Sequence, residues 1–515
     1  MIKKILRGAL GVIGILVLCF VLFPLGQVEA ADGDNYFWIA GTGNWSDYAN
    51  HWSKTSGNVG GEMHGAAPNS TNNVYFDANS DAGGAWTVTV DAIANCKDMI
   101  WTGAENSPAL VITFKLGIHG SLTLIPAMTM SGAAGLTFSS TTTGKTITTA
   151  GKTISSNTDF SGVGGGWTLQ DDYLTSVDLY VTAGALDTNG KALTPRRIVV
   201  RGGGVKALTL GASVINLTGA AGGTLFFEAG YSNFTLNSGT SVINSGGGIF
   251  DGGGYTFYIV NLTGATSTIT GSNTFNTLGL TRADVQTITF TDGTTQTVTN
   301  FTRNAGTQLK TLQGSGVAGW AITKAGGGTA YMDYISVSRS TGSPASTFIA
   351  GVNSTNGGDN TDWSFVADVT TGAETNVTFG AATLNGTVTT NGTNATRRGF
   401  QYGKVSGALN LDVHSDGSYG TGAYSFNIVG LSQNDTYYYR AYAVTEGVTE
   451  YGAEGSLNTQ PTAWGIMMLL PLIVAIGVVI IGLRVLASSG MQGYAVSVLF
   501  GVATYIMLQA LIGIL

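Results

Sequence analysis

From Trp101 to Phe365 the chain never sustains a helical period. Short alternating pieces recur instead, among them Leu122-Thr-Leu124, Leu208-Thr-Leu210, Ile288-Thr-Phe290 and Ile335-Ser-Val337. Alternation with period two marks a strand that buries one face. Gly, Asn, Ser and Asp separate the pieces, and these are the residues tight turns need. The run Asn216-Leu-Thr-Gly-Ala returns at Asn261, 45 residues on, and Gly144-Lys-Thr-Ile returns at Gly151. Such repetition predicts a coil in which each rung stacks on the last, with two rungs of about 22 residues spanning the longer interval. Corners of a coil favour glycine, and glycine supplies 77 of the 515 residues. The expectation is an all-β fold whose main body, residues 101–365, is a β-helix or solenoid. An array of β-sandwiches is the rival arrangement of the same strands.

Composition narrows the function classes. Charged residues are 10% of the chain, against ~25% in an ordinary soluble domain. Disorder combines low hydrophobicity with high charge, and the 43% apolar content excludes it here. A net charge of −7 argues against nucleic acid as a partner through a basic surface. The two cysteines are Cys19, near the N-terminus, and Cys96. Cys96 reads as a small buried residue, with no histidine close in sequence to activate it.

Both ends point to a membrane. Lys3, Lys4 and Arg7 precede an uncharged apolar stretch, Gly8 to Leu25, and Val28-Glu-Ala30 suits a signal peptidase. Residues 1–30 therefore read as a signal peptide cleaved after Ala30; an uncleaved anchor helix is the alternative. Cleavage moves the net charge to −9 and leaves no intramolecular disulfide. At the other end, Trp464 to Leu483 is a twenty-residue apolar run ending at Arg484, and Tyr494 to Leu515 is a second run without charge. A hydrocarbon core of ~30 Å takes about twenty helical residues. Twelve Leu, Ile and Val side chains in the first run favour insertion by roughly 4–7 kcal/mol. The expectation is a transmembrane α-hairpin, 464–484 and 494–515, in membrane lipid. Arg484, the cation beside the connection Val485 to Gly493, places that loop in the cytoplasm. A buried soluble hairpin is the rival.

Two stretches resemble known families. Tyr36-Phe-Trp38, Gly41-Thr-Gly-Asn-Trp45, His51-Trp52 and Val74-Tyr-Phe-Asp77 resemble the opening of bacterial and phage β-helical surface proteins of adhesin type. That resemblance implies an aromatic cap over residues 31–100, closing the first rung. A carbohydrate-stacking platform of tryptophans is the alternative. The run Gly430-Leu-Ser-Gln-Asn-Asp-Thr-Tyr437-Tyr-Tyr-Arg-Ala-Tyr-Ala443 resembles the E–F corner of a fibronectin type III domain, with Leu431 and Tyr437 in the matching positions. Gln433 stands where that family usually has proline. The resemblance implies a β-sandwich over residues 366–459, and the chain ends in 460–515 with the hairpin.

No catalytic, cofactor-binding or metal site emerges. A glycosidase needs two carboxylates flanking a bond. Asp171 and Asp172 are adjacent, so in a strand they face opposite ways. Asp251 precedes three glycines and reads as a turn residue, while Asp284 and Asp333 stand apart. Arg196, Arg197 and Arg201 form one basic cluster with no acid nearby in sequence. His51, His64, His119 and His414 have no metal-binding spacing. Asp77, Asn79 and Asp81 alternate as in calcium loops but lack the central glycine and terminal glutamate. The Asn-x-Ser/Thr sites from Asn44 to Asn434 mean glycosylation only where the host supplies it.

The expected function is a membrane-anchored extracellular adhesin or surface-display protein, not an enzyme and without cofactors. Its aromatic N-terminal tip would bind a glycan or another cell-surface ligand. A viral spike on a virion surface and a β-helical polysaccharide lyase or hydrolase are the alternatives. The sequence does not fix an oligomeric state.

Overall fold

The computed structural model describes residues 35–219, 225–227, 233–390 and 393–461, with scattered helical positions between 473 and 505. The expected signal peptide, and the membrane hairpin apart from those positions, lie outside the described residues. The chain divides into two compact units. The first runs to Phe348 and includes Gly357–Trp363; the second takes Ile349–Asn356 and the chain from Ser364.

The first unit is a β-solenoid of about 12 turns. Its strands pair in parallel, each with its equivalent one turn later. Val74 lies over Met99, Met99 over Leu122 and Leu122 over Ile147, and all four side chains are buried. Parallel in-register pairing sets equivalent residues about 4.8 Å apart, so alternation along each strand becomes apolar columns down the coil. Phe257, Phe275 and Val298 form another such column. Each buried side chain of this size contributes about 1.5–3 kcal/mol.

Early turns carry three short strands, such as Arg197–Val200, Lys206–Thr209 and Val214–Leu217. From Gly248–Asp251 to Trp320–Lys324 each turn carries two. This change explains the repeated Asn-Leu-Thr-Gly-Ala. Asn216, Asn244 and Asn261 occupy one column, joined by side-chain amide hydrogen bonds of 2.8 and 3.0 Å. The repeats are two turns apart, as the spacing predicts, but the turns span 28 and 17 residues. The longer one passes through two further strands, Leu225–Phe227 and Phe234–Asn237, the shorter only through Gly248–Asp251. The Gly-Lys-Thr-Ile pair is different in kind. Lys145–Thr148 and Thr153–Ile154 are consecutive strands of one turn in different sheets, and Gly144 and Gly151 supply positive φ (79° and 73°) at the bends before them.

At the start of the coil the pairing reverses. Asn35–Trp38 runs parallel to Asn73–Tyr75 but antiparallel to Trp52–Ser53. Trp38, Trp52, Phe76 and Trp101 are fully buried beneath this pair. The indole N–H of Trp38 donates to Gly41 O at 2.7 Å and that of Trp52 to Trp45 O at 2.9 Å, so both rings bury without an orphaned donor.

The second unit contains two antiparallel sheets around one core. Asp368–Thr371, Ala381–Thr389 and Gly422–Val429 make the first. Leu411–Tyr419, Ala395–Gly403 and Thr436–Thr445 make the second, extended by Val448–Tyr451 and Gly455–Asn458. Leu384, Phe400, Ile428, Tyr439 and Ala441 meet between them. Tyr437, Tyr439, Ala441 and Ala443 alternate along Thr436–Thr445, and all four are buried.

Among the described residues no helix is long and apolar enough to cross a membrane. Ile473, Ile476 and Ile480, in the first hydrophobic run, have helical backbone and exposed side chains.

Candidate functional site

The outward positions of the solenoid carry polar columns. On one face Thr256, Thr274, Thr297, Thr323 and Ser343 stand in successive turns at the same register. On another, Thr266, Thr287, Thr311 and Ser336 do the same, beside Thr268, Thr289 and Gln313. Gln313 Nε2 donates to Thr289 Oγ1 at 3.2 Å. Threonine suits a strand because its branched Cβ packs on the pleated surface. Each hydroxyl can both donate and accept, so these columns are repeating, uncharged hydrogen-bonding faces.

The aromatic N-terminal segment is not a stacking platform of tryptophans. Trp38, Trp45 and Trp52 are all buried, so their ring faces are unavailable to a sugar. The reason is geometric: these rings fill the interior of the first described turn.

Of the carboxylates weighed as catalytic groups, Asp171, Asp172 and Asp251 cap turns. Asp171 and Asp172 lie in a bend, not a strand. Asp171 accepts the N–H groups of Thr149 (2.7 Å) and Ala150 one turn earlier, and Asp172 accepts Ala192 N–H at 2.8 Å one turn later. Asp292 does the same for Gly316 and Ala318, both at 2.8 Å. Asp251 accepts Gly253 N–H at 3.2 Å, as a turn residue should. Asp284 forms an exposed pair with Arg282, and Asp333 accepts the N–H of Tyr334. Asp77 and Asp81 each accept the N–H two residues on, from Asn79 and Gly83.

The histidines are dispersed. His51 stacks on Trp38 and His64 on Tyr36, while His119 meets Asn95 and His414 meets Asp412. Among the described residues no three His, Cys, Asp or Glu side chains stand together to hold a metal. Cys96 is fully buried, and burial pushes its thiol well above the ordinary range.

Sequence distance hid one cluster. Arg196 and Arg197 have a carboxylate partner after all: Asp178, which lies opposite Arg197 on the preceding turn. Its side chain is 1% exposed. Arg196 Nε and Nη2 both donate to it at 2.7 Å, Arg197 Nε and Nη2 at 2.8 and 2.6 Å, and the Tyr180 hydroxyl at 3.1 Å. The signal was available in principle, because 18 and 19 residues is one turn of this coil. Burial alone would raise the Asp178 pKa, but the hydrogen bonds and charges of the two arginines outweigh it and hold the group at about 2. An unfolded aspartate titrates near ~3.9. The stabilisation is therefore complete above about pH 4 and is lost as pH falls towards 2. Asp178→Asn should flatten that limb of a stability-against-pH curve measured by urea denaturation. Beside this pair, the Arg201 guanidinium lies 4.0 Å over the Tyr180 ring.

Among the described residues, an interior void between Ile198, Leu208, Ile215, Leu217, Ile243 and Phe257 is lined by apolar side chains alone.

No protein-family model matches the chain, and no curated protein matches it. Among solved structures, the sensor domain of the anti-sigma factor RsgI4 of Pseudobacteroides cellulosolvens matches 18% of this chain and 95% of its own, at 14% identity. The TM-score is 0.17, and a likeness that small carries no argument about fold or function.

Proposed function

We propose that the chain is a non-catalytic surface-display protein of adhesin type. Its solenoid presents hydrogen-bonding faces to a glycan or another cell-surface ligand, and its two C-terminal hydrophobic runs insert in membrane lipid. The observation that carries the reading is the outward column Thr256, Thr274, Thr297, Thr323 and Ser343, a repeating line of uncharged hydroxyl side chains. Such a face suits a repeating polyhydroxylated ligand, because donors and acceptors recur on both sides. The turn-capping roles of Asp171 and Asp172 weigh against the hydrolase alternative.

A fibronectin type III-like module is the finer reading of the second unit. Three strands face a sheet built on Leu411–Tyr419, Ala395–Gly403 and Thr436–Thr445, in keeping with that architecture. The Tyr437 hydroxyl accepts Ser432 N–H at 3.0 Å, the backward bond of a tyrosine corner, beside buried Leu431.

The test is a glycan array probed with the detergent-purified full chain. Saturable binding is expected. A Thr274→Val, Thr297→Val, Thr323→Val triple variant keeps the β-branched shape and removes three hydroxyls. At about 0.5–1.5 kcal/mol for each lost hydrogen bond, its affinity should drop at least about tenfold. Absence of binding to every glycan would sink the glycan reading and leave a non-glycan surface ligand in its place, and sustained release of reducing or unsaturated ends from a polysaccharide would replace both with an enzyme.

A further inference from the structure

The exposed apolar side chains of the second unit gather at one place. Among its described residues up to Pro461, large hydrophobic side chains stand open at Phe379, Val405, Leu411, Val429 and Tyr451. All but Tyr451 lie at one end of the two sheets. Val429 pairs with Ala381, the first residue of its strand, and Leu411 pairs with Tyr402, next to the last of its own. Leu431 N–H donates to Gly380 O at 3.0 Å, which ties the turn after Val429 to the turn carrying Phe379. Lys404 reaches the same corner, donating to Ser432 Oγ at 2.8 Å and pairing with Asp435 at 2.6 Å, and so brings Val405 there. Phe379 is 57% exposed, Val405 62% and Val429 74%.

The chain leaves the unit at this same end. Gln460 N–H donates to Thr378 O at 3.0 Å, beside Phe379. Thr462 and Ala463 then separate Pro461 from Trp464, the start of the first hydrophobic run. Three residue steps reach about 10 Å at full extension, and each headgroup layer adds about 5–7 Å to the hydrocarbon core. A run inserted from Trp464 therefore keeps this end within reach of the headgroups. Apolar side chains gathered on a surface mark a contact, and here the tether fixes which surface they meet.

We propose that this end of the second unit is a membrane foot, in which Phe379, Val405 and Val429 enter the headgroup layer of the bilayer. The inference rests on membrane anchoring through the C-terminal runs. The three side chains stand on three different loops, so together they set the tilt of the unit, which a two-residue tether alone leaves free. Lys404 is neutralised by Asp435, so burial of apolar area supplies the contact, and attraction to anionic lipid does not.

The full chain carrying Cys19→Ser is reconstituted in phosphatidylcholine vesicles, with and without nitroxide-labelled lipid. Cys96 is fully buried and stays unreactive. Phe379→Cys, Val405→Cys, Val429→Cys and, at the opposite end, exposed Glu446→Cys each carry an environment-sensitive fluorophore. The first three labels should be blue-shifted and quenched several-fold more than the label at 446. With Phe379→Ser and Val429→Ser added, the label at 405 should lose about half of its quenching or more. Unchanged quenching there would mean that the tether alone brings this end near lipid, and would overturn the proposal. A requirement for phosphatidylserine would show charge attraction and overturn it too. A blue shift without quenching by lipid would put another protein surface, the following segment or a second copy, over this end in place of the bilayer. Water-like emission at all three positions, in chains that float with the vesicles, would refute the foot and leave the anchor standing. Failure to float would remove the anchor and the foot together.

Discussion

Lys310→Met should destabilise the solenoid by about 2–4 kcal/mol, even though it places an apolar chain of similar length in an apolar interior. Lys310 is fully buried, and its ammonium donates to the carbonyl oxygens of Arg282 (2.6 Å) and Asp284 at a corner one turn earlier. Methionine leaves both acceptors without a donor, at about 1–3 kcal/mol each, offset in part by the desolvation that the charge no longer suffers. One turn earlier still, Gln286 does the same job, donating from Nε2 to Leu262 O at 2.8 Å and Gly264 O at 3.0 Å. Gln286 and Lys310 occupy equivalent positions. Lys310→Gln should therefore retain most of the stability that methionine loses. Urea denaturation followed by the fluorescence of Trp320, in the next strand, measures this; a methionine variant as stable as the wild type would refute it.

Trp52→Ala should cost about 3–5 kcal/mol, the range for a buried aromatic truncated to alanine. Trp52 meets Trp38 and Trp45 at 4.9 Å and Phe76 at 5.7 Å between ring centroids, and it gives its indole hydrogen bond to Trp45 O. The consequence should exceed a cavity. The antiparallel pair Trp38↔Trp52 ends the parallel stack, and losing it exposes the interior of the first turn and an unpaired strand edge. Self-association visible by light scattering should accompany the lowered unfolding temperature. Tyr48→Ala, in the same segment but exposed, should change stability by no more than about 0.5 kcal/mol. Equal effects of the two substitutions would contradict the capping role.

What the sequence made legible was local. Period-two runs gave the strands, and glycine and asparagine marked the bends. The recurrence of Asn216 at Asn261 gave the stacking, and the alternation of Tyr437, Tyr439, Ala441 and Ala443 gave a half-buried strand of the second unit. What it hid depends on the length of each turn. Asp178 and Arg197 are unremarkable 19 residues apart until one turn brings them together. Lys206 and Lys310 look like surface residues by type, yet both point inward to cap carbonyl pairs, Lys206 on Gly202 and Gly204. Unequal turns defeat a fixed repeat length, because an added strand changes the residue count without disturbing the register. The outward columns of threonine went unnoticed as a site because no residue in them is chemically distinctive alone.

Placement of equivalent residues in register on successive, unequal turns underlies every one of these arguments. Cysteine pairs at 216 with 244, and at 244 with 261, test it by intramolecular disulfide formation under mild oxidation, read by peptide mapping. Adjacent parallel strands put such Cα atoms about 4.8 Å apart, within the ~4.4–6.8 Å that a disulfide spans. Both pairs should close readily, whereas 216 with 261, two turns apart, should not. Closure of 216 with 238, as equal 22-residue turns would require, together with failure of 216 with 244, would contradict the account.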